Sequence, residues 1–74
     1  MSVNTALEIV ISAPRDREQL VAEIWADNEQ MLELNQDAGG IELEIYPRQD
    51  GQPWRVSLDA LQTALLTATK KLGA

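Results

Sequence analysis

Cysteine and histidine are both missing from this chain of 74 residues. Their absence excludes disulfide crosslinks, zinc sites of the Cys/His kind, a cysteine nucleophile and the usual imidazole general base. Basic residues are scarce, six Lys and Arg against twelve Asp and Glu, for a net charge of −6. That balance disfavours nucleic acid and anionic membrane by simple repulsion and makes a basic protein the natural complement. No stretch approaches the ~20 apolar residues of a membrane span. Met1-Ser2-Val3-Asn4-Thr5 lacks the basic start and apolar run of a signal peptide, so a soluble, cytoplasmic protein is the expectation. One small domain over 1–74 is expected, at a size where a single core rarely supplies more than ~3–5 kcal/mol. With no crosslink available, self-association is the expected means of completing the fold.

What is present is acid threaded between aliphatic positions. From Glu18 to Pro47 there are eight acidic residues and no lysine or arginine. Segments of the form apolar, Glu, apolar recur at Leu7–Ile11, Ala22–Trp25, Leu32–Leu34 and Ile41–Tyr46. The first and last alternate with a period of two and read as strands. The middle region supports two readings. As strands, residues 20–27 and 31–36 are separated by a turn at Asp27-Asn28-Glu29, and Asp37-Ala38-Gly39-Gly40 turns into the last strand. As a helix over 16–36, Leu20, Val21, Ile24, Trp25, Met31 and Leu32 share a stripe between Pro14 and Gly39-Gly40.

The C-terminal helix is better marked. Ser57 is a good N-cap, Asp59 sits in the first turn, and Lys70-Lys71 with Gly73 close the far end. Leu58, Leu61, Leu65, Ala68 and Leu72 form its apolar stripe, with Leu66 off centre. Before it, Asp50-Gly51 signals a tight turn, and Trp54 after Pro53 is placed to cover the end of the core. The expected fold is α+β: a four-stranded antiparallel meander with one C-terminal helix packed on one face. The alternative is β-α-β-α with 16–36 helical.

In the meander, Glu8, Glu23, Glu33, Glu42 and Glu44 point away from the helix and form an acidic face. Val10, Val21, Trp25, Met31 and Tyr46 share that face and form a candidate interface, in which aromatic residues carry much of the binding energy. No catalytic set is evident, because no serine has a histidine partner and no glycine loop could cradle a phosphate. Asp27-Asn28-Glu29 is too short for a calcium loop. No metal, no cofactor and no enzymatic activity are expected.

The run Ile41-Glu42-Leu43-Glu44-Ile45-Tyr46-Pro47, then Asp50-Gly51-Gln52-Pro53-Trp54, then Leu58-Asp59-Ala60-Leu61 and Ala64-Leu65, resembles a pattern in small bacterial domains. These have a Glu-Ile-Tyr strand, a Gly-x-Pro-Trp loop and a helix opening with Leu-Asp. The resemblance implies the order strand, loop, helix and carries over no functional residue. In size, charge and α+β character the chain is also similar to acidic immunity proteins, without a shared motif. The functional expectation is a non-enzymatic bacterial protein-interaction domain that self-associates as a homodimer. The alternative is an immunity-type or antitoxin-like inhibitor of a basic partner.

Overall fold

The computed structural model describes residues 6–13, 15, 19–37 and 39–73. Four strands, β1 (Leu7–Ser12), β2 (Val21–Ala26), β3 (Glu29–Asn35) and β4 (Glu42–Ile45), precede one helix, α1 (Leu58–Lys71). The strands form one antiparallel sheet in the order β1-β2-β3-β4, so each pairs with its neighbour in sequence. This is the α+β meander. The region 16–36 is not one helix: Ala22 stands opposite Leu34 and Ile24 opposite Leu32, so its apolar residues meet across a ladder.

The turn between β2 and β3 explains that choice. Asp27 and Asn28 both have positive φ, 53° and 64°, and Ala26 faces Glu29 across them. A two-residue hairpin with both central residues left-handed matches the right-handed twist of its strands, and Asp and Asn tolerate that backbone better than other non-glycine residues. The turn is one residue tighter than Asp27-Asn28-Glu29, and Glu29 opens β3.

Side chains of one face of the sheet meet α1. Ala22, Ile24, Met31, Leu32 and Leu34 are buried there with Ala64 and Ala68 of the helix, and Leu7, Ile9, Ile11, Leu61, Leu65, Leu72 and Trp54 pack around them. That the two buried helix residues are alanines lets the helix backbone lie close to the sheet. Ser57 caps the helix, its Oγ accepting from the Ala60 amide at 3.3 Å. Gly73, at φ 80°, ends it with its amide on the Lys70 carbonyl. Trp54 is held where the loop meets the sheet, its Nε1 donating to the Tyr46 carbonyl at 2.8 Å.

α1 packs on β1 and β2 and leaves the β4 side of the same face uncovered. Leu58, expected in the apolar stripe, is therefore 68% exposed, and Leu43 and Ile45 of β4 are 48% and 65% exposed. No helix among the described residues is long and apolar enough to cross a membrane.

Two substitutions test this account. Asn28→Gly should raise stability by roughly 0.5 kcal/mol, because glycine takes the left-handed conformation without the Cβ penalty. Ile24→Ala should cost about 2–5 kcal/mol through the cavity it leaves, enough to unfold much of the population. Urea denaturation followed by far-ultraviolet circular dichroism reads both.

Candidate functional site: the acidic outer face

Alternation along the strands sends Glu8, Glu23, Glu33, Glu42 and Glu44 to the face opposite the helix. The register aligns three of them into a row that crosses the sheet: Val10 faces Glu23, Glu23 faces Glu33, and Glu33 faces Glu44. Glu8 lies one row away, opposite Trp25, and Glu42 lies opposite Asn35. Like charges directly opposed across strands are destabilising, since such pairs stand only ~5 Å apart. The row therefore needs donors.

Neutral side chains on the same face supply several of them. Asn35 Nδ2 donates to Glu44 Oε1 at 2.9 Å and to Glu33 Oε2 at 3.4 Å, tying two acids through one amide. Trp25 Nε1 donates to Glu23 Oε1 at 2.9 Å, and the Tyr46 hydroxyl donates to Glu44 Oε2 at 3.3 Å. Glu33 and Asn35 are only 7% and 2% exposed, so the middle of the row is closed to solvent while Glu44 and Glu42 at the β4 end are open. The face thus carries a built, hydrogen-bonded set of carboxylates rather than a loose fringe of solvated charge.

Trp25 and Tyr46 come together at the turn end of this face. With Asn28, Glu29, Gln30, Pro47 and Gln49 they line an open hollow of about 330 Å³. The hollow has a fixed rim, because Glu29 Oε2 accepts from the Gln49 amide at 2.6 Å and ties β3 to the loop after β4. That loop is itself ordered. Gly51, at φ 76°, donates to the Arg48 carbonyl, Gln52 donates to Asp50 Oδ1, and Arg48 pairs with Asp50 at 3.3 Å. The Arg48 guanidinium lies 5.8 Å over the Trp54 ring.

The expected interface set divides. Val10 is exposed and Trp25 and Tyr46 are half-buried on the outer face. Met31 is not on that face. The register slips between Ile24 and Trp25, leaving Met31 without a partner on β2, and the bulge turns its side chain into the core beside Leu32. Val21 lies on the outer face but is fully buried, sharing the closed centre of the sheet with Glu33 and Asn35. Asn35 is the residue that sequence reading missed. Its place two residues after Glu33 on one strand was the available signal.

A second hollow, of about 460 Å³, runs between β1 and α1 and is lined by Leu7, Ile9, small helix residues and one carboxylate, Asp59. Among the described residues no group of three or more acidic side chains converges to hold a metal ion. No family model, no curated protein and no solved structure matches this chain.

Asn35→Ala should destabilise the fold by about 1–3 kcal/mol, since it strips a buried row of its shared donor. Asn35→Asp should cost more, because a third carboxylate then faces Glu33 and Glu44. The order of chemical denaturation midpoints, native above Ala above Asp, is the measurement.

Proposed function

We propose that this chain is a non-enzymatic protein-interaction domain whose acidic outer face receives a basic surface of another protein, as an inhibitor or adaptor does. The observation that supports this reading is the row Glu23, Glu33, Glu44, fixed by Trp25, Asn35 and Tyr46, running beside the hollow lined by Trp25 and Tyr46. A lysine or arginine side chain of a partner gains three things there. Glu23 and Glu44, at the two ends of the row, attract it, the ring faces of Trp25 and Tyr46 add a cation–π term, and Glu29 on the rim supplies a further acceptor. Hydrogen bonds from Trp25, Asn35 and Tyr46 already restrain these acids, so less side-chain entropy remains to be lost on binding. The net charge of −6 also steers basic partners toward the molecule. The reading takes the chain as a cytoplasmic bacterial protein.

Self-association through the same face is physically poorer, because it sets one acidic row against another. Apolar surface that would favour a homodimer lies instead on the helix side, where Leu58 and Leu66 are exposed.

Titration with an oligolysine peptide tests the proposal, following the indole Nε1–H signals of Trp25 and Trp54 by nuclear magnetic resonance. The Trp25 signal should move while that of Trp54 stays, and affinity should fall steeply between about 50 and about 200 mM salt. Glu23→Gln with Glu44→Gln should weaken binding about tenfold. Equal binding of an oligoglutamate peptide, or an affinity unchanged by salt, would overturn it.

A further inference from the structure

We infer that a second copy of this chain covers the helix side of β4, with the two α1 helices side by side and parallel about a two-fold axis. The inference does not rest on the acidic-face reading, because the outer faces of such a pair point away from each other.

The helix side of the sheet has room for a second helix. Four strands at a spacing of about 4.8 Å make a face about 19 Å wide, and a helix is about 10 Å across, so two helices fill it. α1 packs on β1 and β2 and is the one helix among the described residues. A helix laid over β4 stands roughly 10–12 Å from α1, close to the ~8–10 Å of packed helix pairs. The surface left bare there is apolar. Among the described residues six large apolar side chains are exposed, and four of them, Leu43, Ile45, Leu58 and Leu66, lie on β4 and α1. Leu43 and Ile45 stand opposite the buried Leu34 and Leu32 and so share the helix side of the sheet.

α1 carries the matching surface. Leu58, Gln62, Leu65, Thr69 and Leu72 recur at alternate spacings of four and three. At about 100° per residue this seam lies on the flank away from Ala60, Ala64 and Thr67, which line the hollow beside β1, and so it faces the β4 half. Leucine at each d position, with polar Gln62 and β-branched Thr69 at a, is the pattern of a parallel two-stranded pair, in which a polar a residue fixes the register. Leu65 and Leu72 also touch their own core and are half-buried, whereas Leu58 is 68% exposed. Leu66 lies about 160° round the helix from the buried Ala64 and Ala68, so it points away from its own sheet.

One arrangement covers all four exposed residues. A two-fold axis parallel to α1 lays the helix of each copy over β4 of the other and closes the two sheets over a shared layer of helices. Leu58 and Gln62 then meet their own counterparts, and Leu66 meets Leu43 and Ile45 of the second copy. The contact is self-complementary and closes as a dimer. It also leaves Glu8, Glu23, Glu33, Glu42 and Glu44 on the far sides of the pair. The apolar area of the four residues is on the order of 400 Å² per copy, in the range of patches that mark interfaces. With the helix flanks between them the contact approaches the ~800 Å² per partner of a standard interface.

Sedimentation from micromolar to millimolar concentration tests the inference on the whole chain, with circular dichroism checking the fold of each variant. The native chain should dimerise. Leu66→Gln and Leu43→Gln should each weaken the dimer about tenfold or more, while Val10→Gln on the outer face should leave it unchanged. If Leu43→Gln fails to fold, Leu66→Gln on the outward side of the helix still decides. Because the chain has no cysteine, Gln62→Cys is a clean probe of the pairing. Mild oxidation should link its dimer by a disulfide, whereas Val10→Cys should stay unlinked. A chain that remains monomeric at millimolar concentration, or a dimer broken by Val10→Gln and spared by Leu66→Gln, would overturn the inference. A dimer that Leu66→Gln weakens but Gln62→Cys does not crosslink would overturn the parallel pairing.

Discussion

The pairing of β2 with β3 is the constraint on which the rest depends. Ile24 against Leu32 and Ala22 against Leu34 place four buried apolar side chains of the two central strands on one face. The same ladder places Glu23 against Glu33 on the other. A slip of one residue would exchange the faces, burying the acids under α1 and exposing the aliphatic residues. The two-residue turn at Asp27-Asn28 holds the register at one end, and the bulge at Met31 absorbs the extra residue that β3 carries. Core and acidic face are two consequences of one hairpin.

The row of acids has a cost, and hydrogen bonds from neutral neighbours meet part of it. Glu33, in the centre, is nearly buried and lies within reach of the amide of Asn35; Glu44, toward the edge, shares that amide and is open to water. Buried polar groups are tolerated when their hydrogen bonds are made, and an amide between two carboxylates adds donors without adding charge. Indole and phenol do the same at Glu23 and Glu44, which is why the aromatic residues of this face lie within two positions of the acids they serve.

Much of this was legible in the sequence because strand alternation is a local rule. The five glutamates, the strands around them, the Ser57 cap and the placement of Trp54 at the core follow from periodicity and turn chemistry, and each residue carries its own signal. The middle region was harder, since Leu20 to Leu32 also satisfies helical spacing. What decides it is the partner of each residue across the hairpin, a non-local fact. Met31 was misplaced for the same reason: a bulge moves one side chain to the opposite face without changing the letters around it. Leu58 fits the helix stripe, yet its exposure depends on which half of the sheet the helix covers, and that is set by packing among elements far apart in the chain.

The half that α1 leaves bare gives the sheet two unequal sides. Helix and strands close together at β1 and β2, whereas β4 is short, exposed along its whole length, and the bearer of two acids. Natural edges are commonly blunted with charge or proline against pairing with copies of themselves, and Glu42, Glu44 and Pro47 have that effect here. Blunting by charge is selective, because what repels a second acidic strand attracts a basic one, and the discrimination is the difference between the two. Lysine residues in the same places would have closed the edge to basic and opened it to acidic segments. The sign of an edge's charge thus sets which strands it disfavours, and at β4 that sign is the one carried by the row running from β2 to the same edge.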